Sequence, residues 1–318
     1  VLLAVLAFGC GTRPPGFSSF GANEDAAATP DAVADVTANT PDVVEDAGQV
    51  QPPVLFMPQD ASPAGASDCA HDATAFVFVL SSAGDLYRFA PDAKVFTKIG
   101  ALGCSSPSVP NSMAVDRHAT AWVNYLDGTV RAVNTADAGC EGRTINMPSA
   151  WDAVGMGFAT SDAGAASEAL YVAGAGANAS SGLGRLDLDA GTVFPVGSFT
   201  APLTATDTEL TGTGDGRLFG FFASSPVRLA QIDRTSAAIV TSTPFTQIGT
   251  PQFFAFSFWG GRFYFYTYPN STPGSSTNVT EYDPKTGALN TTFMTDIGFL
   301  IVGAGVSTCA PTVPPTPK

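Results

Sequence analysis

Asp207 and Glu209 are the residues of this chain whose type and spacing best suit chemistry. Two positions apart in an extended segment, their side chains point to the same side. Paired carboxylates of this kind act as the acid and base of glycoside hydrolysis, and Asp296 falls at an equivalent place in a later repeat. Set against this, acids in loops commonly cap turns. Two readings therefore stand: a binding or scaffolding module with no catalytic residue and, as the alternative, a secreted glycoside hydrolase or lyase using Asp207, Glu209 and Asp296.

Other chemistry is sparse. There is no His-Glu-x-x-His, no Gly-x-Ser-x-Gly and no Cys-x-x-Cys, and the two histidines, His71 and His118, are too few for a His-rich metal centre. No metal or cofactor is expected. Gly212–Gly216 and Asp187–Gly191 look superficially like phosphate and calcium loops, yet each sits between two strands and reads as a turn. The expected ligand contacts are Asn111, Trp151, Gln252 and Tyr266. Residues 253–268 hold ten aromatic side chains, most of them expected in packing. Trp151, Tyr266 and Tyr268 are the exceptions expected at a wet edge, because their rings carry polar tips.

The five cysteines are an odd set, and Cys10 accounts for the excess. It follows the apolar run Val1–Gly9, with Gly9 immediately before it and Ala7 where a lipobox usually has Leu. The segment is too short to span a bilayer and reads as the end of a signal peptide, with Cys10 as the acylated N-terminus. Residues 11–53 then turn to Ala, Pro, Asp, Thr and Val, with seven acids against Arg13, and read as a disordered tether. Residues 54–312 form the folded domain and 313–318 a short tail. A net charge of −14, with 14 basic residues against 28 acids, argues against nucleic acid as a partner. The expected setting is a bacterial cell envelope at the outer membrane or cell surface, with the lipid as anchor. A glycan or a protein is the ligand class, and the expected state is monomeric.

What must position these residues is a repeat. An alternating aromatic strand, a turn and a second strand ending in Asp recur at Ala75, Ala121, Ala169, Arg217 and Arg262, with second strands ending at Asp92, Asp137, Asp187, Asp233 and Asp283. The period of about 45–50 residues suits four-stranded propeller blades. Copies two to five have a further strand upstream, such as Gly155–Thr160 and Phe253–Phe258, and the first has none. The orphan segment Ile301–Thr308 supplies it, which predicts an all-β fold: a β-propeller of five four-stranded blades closed by the C-terminal strand. Cys309 and Cys69 then fall at one turn of blade one, and Cys104 and Cys140 pair by elimination, although three connectivities are open and the latter two map to opposite blade ends.

The segments Pro110–Asp116, Phe256–Gly261 and Ile301–Pro311 resemble those of secreted bacterial β-propeller lipoproteins, including a poorly characterised group, over about residues 54–312. That resemblance implies the fold and the envelope location. It brings no catalytic residues with it.

Overall fold

In repeats three, four and five the acid that ends the second segment builds a turn. Asp187 Oδ1 accepts the amides of Asp189 and Ala190 (both 2.9 Å), Asp233 Oδ1 those of Thr235 (2.8 Å) and Ser236 (3.0 Å), and Asp283 Oδ1 that of Lys285 (2.9 Å). In the second repeat Asn134 takes this role toward Ala136 (2.8 Å). Four residues further on, Ala138, Gly191, Ala237 and Gly287 all adopt positive φ, between 62° and 74°. Each donates its amide back to the carbonyl of the acid or amide residue at 2.8–2.9 Å. Asp and Asn suit this work because their short side chains accept from amides two and three residues ahead.

The computed structural model describes residues 69–269 and 275–315. There these turns organise twenty strands into five four-stranded antiparallel sheets. Blade one contains β1 (Val77–Ser81), β2 (Asp85–Ala90) and β3 (Val95–Ala101); blade two is β4 (Pro110–Val115), β5 (Thr120–Tyr125), β6 (Thr129–Asn134) and β7 (Cys140–Asn146). Blade three is β8 (Val154–Thr160), β9 (Glu168–Gly174), β10 (Leu183–Asp187) and β11 (Thr192–Gly197). Blade four is β12 (Thr208–Gly212), β13 (Leu218–Phe222), β14 (Val227–Ile232) and β15 (Ile239–Phe245). Blade five is β16 (Pro251–Trp259), β17 (Arg262–Pro269), β18 (Asn278–Asp283) and β19 (Ala288–Met294). The last strand, β20 (Ile301–Gly305), returns to pair with β1 through Phe78↔Gly305, Val79↔Ala304 and Leu80↔Gly303. The five-bladed propeller and its C-terminal clasp are as the repeat predicts. Cys10, the tether 11–53 and the signal segment lie outside the described residues. One element had no sequence signal, a short helical turn α1 (His71–Ala75).

Strands β1, β8, β12 and β13 are buried at every position. Both faces of each blade are covered by neighbouring blades, so the alternation expected of a half-solvated sheet disappears near the axis. Crowding there selects glycine. A Cβ on Gly155 would lie 2.0 Å from the Thr208 carbonyl oxygen, one on Gly157 2.9 Å from the Leu210 carbonyl carbon, and one on Gly212 2.0 Å from the Phe158 oxygen. On β20, Gly303 and Gly305 meet Met113 N and the Val115 side chain at 3.0 and 2.7 Å in the same sense.

Beyond β20 the chain runs across the lower face, where inner strands turn back. Thr308 Oγ1 donates to Glu168 Oε2 of blade three (2.5 Å), and the Thr308 carbonyl sits where Gly214 of blade four leaves room. Gly260 of blade five donates its amide to Pro311 O (2.9 Å). Cys309 bonds to Cys69, whose neighbour Ala70 donates to Arg117 O of blade two (3.1 Å). A handful of residues thus fastens the lower ends of four blades to the first.

The second disulfide, Cys104–Cys140, also forms, with a Cα–Cα distance of 4.8 Å. Its two ends meet because the outermost strand of each blade leans toward the third-to-fourth strand turn of the next. Past the end of β3, Gly103 N donates to Ala138 O at 2.8 Å. The same meeting recurs where Arg143 of β7 pairs with Asp189 (3.0 Å) and where Lys94 Nζ reaches Phe293 O (3.2 Å). Sheet twist carries an outer strand across the blade, which resolves the apparent mismatch of ends.

Sequence separations of 240 and 36 residues set how much each disulfide restricts the unfolded chain. Chain entropy gives about 5 kcal/mol for Cys69–Cys309 and about 4 kcal/mol for Cys104–Cys140. Urea unfolding of C69S/C309S is expected to show the larger fall in midpoint of the two paired-serine variants. Equal or reversed losses would show that the clasp is held by strand pairing instead.

Candidate functional site

The upper face, where each outer strand hands over to the next inner strand, carries all the site candidates. Its most connected group is one the sequence did not single out, Asn124 on β5, which is fully buried. Its Oδ1 accepts from Asn111 Nδ2 (3.0 Å) and Val154 N (3.3 Å), and its Nδ2 donates to the carbonyls of Asp152 (3.0 Å), Tyr125 (3.3 Å) and Thr129 (3.4 Å). Asn111, expected to meet a ligand, also donates to Val154 O (3.0 Å). The amide pair locks blade two to blade three.

The remaining candidates divide. Trp151 is 5% exposed and packs over Gly184, where a Cβ would come within 2.9 Å of its ring. Tyr266 is fully buried, with its hydroxyl 3.0 Å from Ser257 Oγ and its ring edge-on to Phe89 of blade one. The wet edge expected of these two rings is therefore corrected: both lie between blades, where a large ring covers more apolar surface than a smaller side chain could. Burial pushes the Tyr266 phenol well up. Tyr268 is half-buried and Gln252 is exposed.

The three carboxylates bond different partners. Asp207 precedes β12 rather than lying in it, and its Oδ1 accepts Gly176 N at 2.6 Å. Asp296 Oδ1 accepts both the amide and the hydroxyl of Ser276 at 2.8 Å, and these bonds hold its carboxyl below the ordinary range. Glu209 is 6% exposed and accepts Ser112 Oγ at 2.9 Å. Ser112 Oγ in turn accepts Met156 N at 3.2 Å. Inner strands of blades two, three and four, β4, β8 and β12, are thus joined through one carboxyl. Burial drives the Glu209 carboxyl well above its usual pKa, only partly countered by its hydrogen bonds. Glu168, at the lower end, is raised by burial too, against the opposing bonds from Thr308 and the Arg117 amide.

Among the described residues, no group of three His, Cys, Asp or Glu side chains is arranged to hold a metal ion. The turns Gly212–Gly216 and Asp187–Gly191 behave as turns: Thr213 N bonds Arg217 O (3.0 Å), and Asp187 caps as above.

No protein-family model matches the chain, and no curated protein matches it. Among solved structures it is similar to a protein of unknown function from Bacteroides caccae, at 12% identity over 72% of this chain and 97% of that one, with a TM-score of 0.39. It is also similar to a chain of a Mitotic Checkpoint Complex structure, at 12% identity over 77% and 76% of the two chains, with a TM-score of 0.38.

Two outcomes follow from this geometry. Asn124→Ala strands buried donors and acceptors of two blades and should cost about 3 kcal/mol, whereas half-buried Asn111→Ala should cost about 1 kcal/mol, read by urea unfolding. The Glu209 pKa is higher folded than unfolded, so its contribution is complete below about 4.5 and is lost as pH rises through the folded value. The melting temperature should fall with rising pH across that window, and Glu209→Gln should flatten part of the fall. A Glu209→Gln profile parallel to wild type would show that the carboxyl is ionised in the fold.

Proposed function

We propose that this protein is a binding module of a bacterial cell envelope: a five-bladed ring held by a lipid on Cys10 and set away from the membrane by residues 11–53. The observation that carries the non-enzymatic half of this reading is the separate engagement of Asp207, Glu209 and Asp296. Acid–base hydrolysis of a glycoside needs two carboxyl groups facing one bond about 5–10 Å apart. Here Asp207 accepts the Gly176 amide, Asp296 accepts Ser276, and Glu209 bonds a serine inside the ring. A raised pKa at Glu209 suits a general acid, but burial between inner strands keeps that carboxyl from solvent.

The anchor rests on the Val1–Cys10 pattern and on the leftover cysteine once Cys69–Cys309 and Cys104–Cys140 have formed. Paired cysteines of this kind suit an oxidising compartment. The net charge of −14 favours an uncharged or basic ligand over an anionic one.

In cells making the natural precursor, the protein is expected in the membrane fraction and labelled by radioactive palmitate, with Cys10→Ser both soluble and unlabelled. Membrane retention of that variant would remove the anchor. Incubation with a polysaccharide panel should release no new reducing ends or unsaturated products. Product formation abolished by Glu209→Gln would establish the hydrolase or lyase instead.

A further inference from the structure

Between Arg234 and Glu281 the chain runs through residues 235–280 with one charged side chain, Arg262, although 13% of all residues are charged. Arg262 itself pairs with Glu281 at 2.8 Å, at the lower end of blade five. The rest of the stretch is uncharged and rich in aromatic and hydroxyl side chains. It builds β15, the loop to blade five, and the inner hairpin β16–β17.

That hairpin is the longest in the ring, nine and eight residues. Its extra pairs, Phe253↔Tyr268 and Pro251↔Pro269, lie at the upper end. A bulge between Pro251 and Phe253 interrupts alternation, so Gln252 and Phe253 both reach the surface. Phe253 is 40% exposed, and its ring lies 6.0 Å from that of half-buried Tyr268 at 42°. Thr246 and Gln247 are exposed on the adjoining loop. Phe256, Phe258, Phe263, Tyr264, Phe265 and Tyr266 of the same hairpin are buried. The upper lip therefore presents two tilted rings, two amides and a hydroxyl. Asp296, at the top of the same blade, is bonded to Ser276.

We infer that this lip, Phe253 and Tyr268 with Gln247 and Gln252, is a binding site for a neutral saccharide. The inference rests on the binding-module reading and gives it a ligand class and a place. A sugar ring offers a C–H face to an aromatic ring and hydroxyls to amides, each of which both donates and accepts. An ion of either sign would surrender hydration here with no counter-charge among the lip residues to replace it.

Affinity electrophoresis tests this with the purified ring in gels containing dextran, laminarin or galactomannan, and in alginate and polygalacturonate gels. Retardation is expected in at least one neutral gel and in neither acidic one. Phe253→Ala and Tyr268→Ala should each weaken it at least tenfold with the melting temperature unchanged, while Phe253→Tyr should restore it. Phe194→Ala, which removes an exposed ring on β11, should leave it intact. Retardation surviving both alanine variants, or appearing only in acidic gels, would overturn the assignment. So would its absence from every gel, and in that case the binding-module reading would still stand or fall on Cys10 labelling and turnover.

Discussion

Five inner strands around one axis leave almost no space between their backbones, and the rest of the fold is arranged around that crowding. Gly155, Gly157 and Gly212 allow blades three and four to touch main chain to main chain, and Gly303 and Gly305 do the same for blades one and two. Larger side chains are displaced outward into the inter-blade layers. Those layers hold Phe219, Phe221, Phe256, Phe258, Phe263 and Phe265 between blades four and five, and Trp122, Trp151, Met156 and Phe158 between blades two and three. Small residues at the axis and aromatic ones farther out are two consequences of one wedge-shaped space.

Polar groups near the axis obey the same constraint. Buried from solvent, they bond across blades: Glu209 to Ser112, Asn124 to Asp152 and Val154, and Thr211 Oγ1 to Phe258 N. A fully satisfied buried network fixes one arrangement, because any slip of a blade would strand several donors and acceptors together. Glu209 shows why a carboxyl at a propeller axis is ambiguous from sequence. Its burial raises its pKa, as an acid catalyst requires, while the same burial withholds it from a substrate. The lower face is held differently, by a covalent bond and the strap after β20, so the two ends of the ring are secured by unlike means.

The repeat was legible because its signals are local. An Asp or Asn whose side chain takes the amide two residues on makes a turn from neighbouring residues alone, and alternating aromatic strands need no distant partner to be recognised. The Cys69–Cys309 clasp followed once the first repeat was seen to lack a strand. Tyr266 and Trp151 were harder, since a ring with a polar tip is equally suited to a wet edge or to a buried bond. Ser257 and Gly184, remote in the chain or on another strand, decide between these. Asn124 carried no sequence signal, being one asparagine in an otherwise apolar strand.

By itself the amino-acid sequence determined the number of blades, the strand that closes them, the turn chemistry, and a charge-poor stretch from 235 to 280. These depend on spacing and composition, which short segments carry without reference to one another. Only the tertiary structure decided what each candidate carboxylate bonds, which rings are core, and that Phe253 and Tyr268 are the aromatic pair of β16–β17 left at the lip. Exposure is set by what the next blade covers and by a bulge in one hairpin. Neither exists until distant strands have met.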